Sequence, residues 1–234
     1  MPYRRLPNTD AARLKALRIA NRKGEETSPL DLAFPQPVYY QIRSFLPRYE
    51  TALNIYSARK QQLSEQNRQL HMVYKKARMF LSHFIQVAFF AIQRGELSAK
   101  TLKYFNLEDV RSLPALQSYE DLEKWGRIIL KGEEKRTAEG FSPLTNPTAA
   151  VVKVRYEQFM DAYHTYKIHR KTRNAARDDI LRIRKEADRL IATLWDHIEN
   201  SFKDLPDPMK RKKAAEYGIS YVYRSNEPRH IDSF

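Results

Sequence analysis

Hydrophobic residues recur at helical spacing along two long stretches of the chain, residues 48–94 and 148–205, and neither stretch contains Gly or Pro. In the first, the apolar positions alternate steps of four and three, which is the spacing of a heptad seam, with Lys60 and Asn67 as its polar interruptions. In the second, a similar stripe resumes after a polar middle around Asn174. The pattern predicts an all-α protein with two pseudo-repeated long-helix halves packed antiparallel.

The tripeptide Arg-Tyr-Glu occurs once in each stretch, at residues 48–50 and 155–157. We interpret it as a register mark at two helix starts, where the Arg and the Glu pair, rather than as a functional site. The apolar stripes align best when the second half has gained about three residues in its polar middle. Those residues fit either an overwound continuous helix or a turn. A compact four-helix up-and-down bundle with turns near Asn67 and Asn174 is therefore the alternative fold.

Changes in composition along the chain divide it into five segments, which we expect to form one structural domain. Residues 1–34 are an N-terminal helix followed by a Pro-rich connector, and residues 207–234 are a short basic helix with an extended tail. The two helical halves are residues 35–95 and 148–206. Between them lies a connecting segment, residues 96–147, in which acidic and basic side chains nearly balance.

Capping residues and glycines predict the shorter elements. Thr9 or Asp10 caps the N-terminal helix, because a side-chain oxygen there accepts from the first-turn amides, and Gly24 ends it. In the connecting segment, Ser118 followed by Asp121 forms a capping signal. We expect short helices at residues 99–105 and 119–136, and a lone extended segment at residues 219–223.

Charge is the main compositional signal for function. The formal net charge is +14, and the chain has no cysteine. The absence of cysteine excludes a disulfide framework, a thiolate metal site and a cysteine nucleophile. The excess positive charge favours an anionic partner and an ordinary solvated helical surface about equally.

Basic residues concentrate in the polar middles of both long stretches and in the run at residues 210–213. Because the two middles occupy matching positions in the two halves, a shared basic patch is expected, and its phosphate contacts would be salt-sensitive and blind to sequence. The candidate anion or nucleic-acid contacts are Arg59, Lys60, Arg68, Lys75, Lys76, Arg170, Lys171, Arg173, Arg177, Lys210, Arg211, Lys212 and Lys213.

Tyrosines recur at seam positions of both long stretches. They allow two interpretations, a stacking platform for bases and core packing with the hydroxyl at the rim, and the second is favoured. The tyrosines concerned are Tyr49, Tyr56, Tyr156, Tyr163 and Tyr166.

The sequence contains no recognisable catalytic or metal-binding constellation. Metal sites in helical bundles place a Glu three residues before a His, and no His in residues 48–94 or 148–205 has that neighbour. The glycines are too far apart to form a phosphate-binding loop. Adjacent carboxylates such as Asp178 and Asp179 diverge by about 100° on a helix. We therefore predict no catalytic residue, no metal site, no cofactor and no small-molecule ligand.

Three segments carry a resemblance to a known family. They are residues 1–14 (MPYRRLPNTDAARL), residues 82–87 (SHFIQV) and residues 217–224 (YGISYVYR). Together they resemble a family of helical proteins from anaerobic gut bacteria to which no function is assigned. The resemblance covers most of the chain. It implies a bacterial cytoplasmic origin and implies no activity, catalytic residue or cofactor.

These observations support two functional hypotheses. The first is a non-enzymatic helical scaffold or protein-interaction module with a protein partner or self-association. The alternative is a sequence-independent nucleic-acid-binding protein that uses the paired basic segments. No run of about 18 apolar residues exists, so no membrane span is expected, and we expect a cytoplasmic protein.

Overall fold

A computed structural model describes residues 3–108 and 113–222, and it is all-α apart from one short pair of strands. The elements follow the chain in a simple order, with a 3₁₀ helix at Ala99–Phe105 between the second and third α-helices. The bounds are β1 Tyr3–Arg4, α1 Asp10–Glu26, α2 Gln36–Gln93, α3 Tyr119–Ala138, α4 Ala149–Ser201, α5 Asp207–Glu216 and β2 Tyr221–Val222.

The two long helices are continuous. Helix α2 has 58 residues and α4 has 53, and neither is interrupted at Asn67 or Asn174. The long-helix fold is confirmed, and the alternative four-helix bundle with turns at those positions is wrong. Without Gly or Pro in the polar middles, nothing in the local backbone favours ending the helical hydrogen-bond ladder there. Pro47 lies within α2, on an exposed part of its surface.

The shorter helices match their capping signals closely. Thr9 caps α1 through a hydrogen bond from the Ala12 amide to its hydroxyl. At α3, Ser118 and Asp121 form a complete capping box. The prediction that Gly24 ends α1 is wrong, because the helix continues to Glu26. The ring of Tyr39 occupies the space that a Cβ at Gly24 would need, so this glycine permits close packing within the helix.

The extended tail is paired rather than lone. Residues Tyr221–Val222 form an antiparallel ribbon with Tyr3–Arg4, and the Arg5 amide donates to the carbonyl of Ser220 at 2.8 Å. The expectation of a lone extended segment is therefore wrong for its described part, because the partner strand comes from the opposite end of the chain. Residue 223, which belonged to that expectation, lies outside the described residues, as do residues 109–112 of the connecting segment.

Contacts divide the chain into two compact units that each take part of both long helices. Of the described residues, unit 1 comprises 3–58 and 174–222, and unit 2 comprises 59–108 and 113–173. In unit 1, α1 packs on the beginning of α2 and the end of α4. Its fully buried side chains include Leu17, Ile42, Tyr49, Ile191, Leu194 and Trp195.

Unit 2 packs the end of α2 and the beginning of α4 against α3 and the 3₁₀ helix. Gly132 allows the close approach of α3 to the 3₁₀ helix, since a Cβ there would lie 2.1 Å from the Tyr104 carbonyl oxygen. The core of this unit is rich in aromatic rings, and its buried members include Tyr74, Phe84, Phe105, Ile129 and Phe159. In neither described range does any helix combine the length and the apolar character needed to cross a membrane.

Candidate protein-interaction groove

A partly buried polar cluster fixes α1 to both long helices in unit 1. Asp10, at the start of α1, accepts hydrogen bonds from Arg184 Nε at 2.8 Å, Arg184 Nη2 at 2.6 Å and the Tyr49 hydroxyl at 2.8 Å. One turn later, Arg13 donates from Nε and Nη2 to the two carboxylate oxygens of Asp188, at 2.7 and 3.0 Å. Bidentate pairs of this kind fix direction as well as distance. The cluster therefore sets the position of α1 on the face that α2 and α4 share.

The ionisation of this cluster follows from its contacts. The hydrogen bonds from Arg184 outweigh the effect of burial and hold the pKa of Asp10 below its ordinary value. Burial, followed by the hydrogen bond to Asp10, raises the pKa of Tyr49. At neutral pH the Asp10 carboxylate is charged and the Tyr49 phenol is neutral and donating. Every charge faces an opposite charge or a hydrogen-bond donor, so the cluster has a structural role. We call it the Asp10–Arg184 clasp.

The other face of the same helix pair is not covered by α1. A concavity of about 570 Å³ lies there, between residues 47–55 of α2 and residues 176–186 of α4. Its floor is apolar, with Ala52, Ala176 and Ile183, and Ile55 at its margin is 50 % exposed. A half-exposed isoleucine beside an apolar floor marks a surface on which another apolar group gains free energy by binding.

A second concavity continues the first toward the end of α4. It measures about 540 Å³ and is lined by residues 41–48 of α2 and residues 186–193 of α4. Both concavities share Arg48 and Glu186, which form an ion pair across the helix pair. We call the two concavities together the α2–α4 groove. Its lining positions advance by three or four residues on each helix, so they form one continuous helical face.

The contacts of the two Arg-Tyr-Glu tripeptides in the structure differ from those that the sequence predicts. Arg48 and Glu50 were expected to pair at a helix start, but they lie inside α2, where Arg48 contacts Glu186 and Glu50 accepts from Arg18. In the second copy of the tripeptide, Arg155 donates to Gln158. The expected pairs are therefore wrong, because side chains two residues apart on a helix point in different directions.

Unit 2 contains a buried ion pair that holds a loop. Glu133 and Arg136 are 1 % and 0 % exposed, and Arg136 donates from Nε and Nη2 to the Glu133 carboxylate, both at 2.8 Å. The same carboxylate accepts from the Leu144 amide at 2.8 Å, and Arg136 Nη2 donates to the Ser142 carbonyl at 2.7 Å. We call these contacts the Glu133–Arg136 clasp. It fastens the loop between α3 and α4 to the last turns of α3.

Two of the seam tyrosines on α4 hold their hydroxyls in hydrogen bonds to α3. Tyr156 donates to the Glu123 carbonyl at 2.9 Å, and Tyr163 donates to the Glu120 carboxylate at 2.6 Å. Burial, and then this hydrogen bond, raise the pKa of Tyr163. The ring of Phe159 stacks on that of Tyr163, with centroids 5.6 Å apart. The rings of Phe159 and Tyr163 are buried and that of Tyr156 is partly buried, which agrees with the favoured interpretation of core packing.

The cavity beside the Glu133–Arg136 clasp is chemically mixed. It measures about 670 Å³ and lies between α3, the loop after it and the first turns of α4. Cationic and anionic side chains alternate around it, and two of them, Lys153 and Glu157, lie 4.0 Å apart. Because no single charge sign converges on it, this cavity does not define a ligand class.

The predicted anion contacts are divided between the two units. Eight lie in unit 2, on α2 or α4, and five lie in unit 1. Several make local contacts, since Arg59 donates to Gln62, Arg68 pairs with Glu65, Arg177 with Asp178 and Arg211 with Asp207. The members of unit 2 are Arg59, Lys60, Arg68, Lys75, Lys76, Arg170, Lys171 and Arg173, and those of unit 1 are Arg177, Lys210, Arg211, Lys212 and Lys213.

On α2 the cations do not form a single stripe. Lys75 and Lys76 are neighbours in sequence, so their side chains diverge by about 100°, and the same holds for Arg59 and Lys60. Both pairs are exposed. Their role as nucleic-acid contacts stays a prediction. Within residues 3–108 and 113–222, no three His, Asp or Glu side chains lie close enough together to hold a metal ion.

Sequence reasoning missed the groove and both clasps. The signal for the groove was present as exposed charges at helical spacing on α4, but nothing local assigns such charges to a groove rather than to open solvent. The Asp10–Arg184 and Arg13–Asp188 contacts join residues far apart in the chain, and the Glu133–Arg136 clasp joins α3 to the loop that follows it. No family model matches the chain, and no curated protein or solved structure shows significant similarity to it.

Proposed function

We propose that this chain is a non-enzymatic helical scaffold, a protein-interaction module that binds another helix in the α2–α4 groove of unit 1. One observation carries the proposal. The pair formed by α2 and α4 has α1 clasped on one face, while the opposite face keeps an apolar floor and a half-exposed Ile55. A helix laid in such a groove buries an apolar stripe of its own against that floor.

The dimensions of the groove fit a short helix. Residues 41–55 of α2 line it, and at 1.5 Å per residue they span about 21 Å. A bound helix of about 14 residues covers that distance, which is slightly shorter than α1 with its 17 residues. A partner helix would thus meet unit 1 much as α1 does, on the opposite face of the same helix pair.

The proposal includes finer properties that the sequence indicates. The heptad spacing through Leu63, Asn67 and Leu70 favours coiled-coil packing of the long helices. The recurrence of Arg-Tyr-Glu and of the apolar stripes favours an internal repeat. We assign the protein to the cytoplasm, where a cysteine-free chain needs no oxidising environment to fold.

A photo-crosslinking experiment tests this function. A photoreactive amino acid replaces Ile55, at the margin of the groove, and the matched control carries it at Ser57, which is exposed on α2 but outside the groove lining. We expect a discrete crosslinked protein species from position 55 in the producing cells and none from position 57. Equal labelling from both positions, or none from position 55, would contradict the proposal.

A second candidate function is sequence-independent nucleic-acid binding by unit 2. It is supported by the exposure of Lys60, Lys75, Lys76, Arg170 and Lys171, which lie in one unit. These cations would bind phosphates, so affinity would fall steeply as salt rises. Affinity for duplex DNA and RNA at several salt concentrations tests it. Absence of binding at low salt would exclude it.

A further inference from the structure

We infer that the partner at the α2–α4 groove is a second copy of this chain, whose own α2–α4 groove faces the first across a twofold axis that crosses both helices. This inference rests on the proposed function and names its partner. It follows from the order of charges along the groove-facing side of α4. That side presents Asp179, Arg182, Glu186 and Arg189, four exposed residues whose charges alternate in sign.

The alternating charges are self-complementary in an antiparallel pairing. Asp179 and Arg189 each lie five residues from position 184, and Arg182 and Glu186 each lie two residues from it. When two copies of α4 pack antiparallel about that level, Asp179 faces Arg189 of the second copy, and Arg182 faces Glu186 of the second copy. The axis repeats both pairings, so four pairs of opposite charge form between the two copies of α4.

The same axis also fits α2. Glu186 contacts Arg48, so the level of position 184 on α4 corresponds to position 50 on the antiparallel α2. Phe45 and Ile55 both line the groove, and each lies five residues from that level. Packing α2 against its own copy about position 50 therefore brings Ile55 to the level of Phe45 of the second copy, a buried residue whose ring lies under the Arg48 guanidinium. The half-exposed Ile55 is thereby covered by the second copy at each end of the interface, which removes its side chain from water.

Contacts within one copy leave these charges available. Asp179 contacts Arg182 and Glu186 contacts Arg48, and all four side chains remain about half exposed or more. An approaching copy adds a further guanidinium to each carboxylate without removing the first. Exposed pairs of this kind contribute modestly to affinity, but they select the register in which the apolar residues meet.

Reciprocal charge reversal tests the inference by sedimentation velocity. The wild-type chain is expected to be a dimer at micromolar concentration. Asp179→Arg places two Arg–Arg contacts in a dimer of that variant, and Arg189→Asp places two Asp–Asp contacts, so each alone should dimerise at least about tenfold more weakly. An equimolar mixture of the two variants should restore a dimer, because each reversed residue then faces an opposite charge.

If either variant of the first pair does not have the wild-type circular dichroism spectrum, the test is repeated with a second reciprocal pair, Arg182→Glu and Glu186→Arg. Restored dimers in the mixture support the inference. A wild-type monomer, unchanged dimerisation of every single variant, or mixtures that stay monomeric would overturn it. Crosslinking from Ile55 distinguishes failure of the dimer from failure of the proposed function. A crosslink to a different protein keeps the proposed function and excludes the second copy, and no crosslink excludes both.

Discussion

The Glu133–Arg136 clasp gives a sharp prediction for stability. Replacing Glu133 by Gln keeps the side-chain shape but removes the charge, and it converts one accepting oxygen into an amide nitrogen that cannot accept. Arg136, which is 0 % exposed, would then hold its positive charge in the core without a carboxylate. Breaking a buried ion pair by removing one partner costs about 3–5 kcal/mol. Because the replacement is isosteric and an oxygen at the Oε1 position can still accept from Arg136 Nη2 and the Leu144 amide, we expect about 3 kcal/mol.

The chain offers a direct way to measure this loss. It has two tryptophans, Trp125 in unit 2 and Trp195 in unit 1, so in a Trp195→Phe background the fluorescence reports the unit that contains the clasp. Urea unfolding followed by this signal gives the free energy of unfolding for Glu133→Gln. The matched control is Glu134→Gln, since Glu134 is adjacent and exposed, and it should change stability by less than about 0.5 kcal/mol.

A double variant separates the charge from the packing. Glu133→Leu with Arg136→Met removes both charges and keeps apolar volume, and it should recover most of the stability that Glu133→Leu alone loses. The reasoning would be refuted if Glu133→Gln cost less than about 1 kcal/mol in a cooperative transition. The clasp would then contribute no more than an exposed ion pair.

Three further predictions concern local contacts. Asp10→Asn should lower the free energy of unfolding at pH 7 by about 1–2 kcal/mol, because it weakens the clasp on α1. Since the folded pKa of Asp10 is lowered, this difference should shrink as the pH falls below about 4, and urea unfolding followed by Trp195 fluorescence checks both effects. Gly132→Ala should cost about 1–3 kcal/mol, because its Cβ meets the Tyr104 carbonyl, and unaltered thermal unfolding would contradict that packing. Ser118→Ala should cost about 1 kcal/mol by removing half of the capping box, with Ser98→Ala at the 3₁₀ helix as a milder comparison in the same assay.

The helices were predictable because their signals are local. Hydrophobic spacing repeats every turn, and capping residues act on amides within four positions, so Thr9 and Ser118 identify helix starts without knowledge of the fold. The prediction that Gly24 ends α1 was wrong because the sequence does not distinguish a glycine that ends a helix from one that allows an aromatic ring to pack against the helix. Only the position of Tyr39 in the folded chain distinguishes them.

The candidate site was not predictable for the opposite reason. The Arg48–Glu186 ion pair and the Asp10–Arg184 contact join positions that only the fold brings together. The strand pairing of Tyr3–Arg4 with Tyr221–Val222 is of the same kind, because it joins the two ends of the described chain. In the sequence, each residue of these pairs cannot be distinguished from any other exposed charge or from part of a short polar strand. Periodicity gives the face of a helix that is buried, but it does not reveal which exposed face stays open for a partner.

The charges around the α2–α4 groove explain how an apolar floor is tolerated before a partner binds. Ala52 and Ile183 form part of that floor, and a wholly apolar groove of this length would associate with any exposed helix. Arg48 and Glu186 cross the groove at its middle and remain about half exposed, so they keep the surface hydrated in one copy. A partner gains the apolar contacts only if its own charges match this order, since a mismatched helix would bring like charges together. The polar residues thus contribute less to affinity than to the choice of partner and register, and reversing their charges while the apolar floor is kept separates these two contributions.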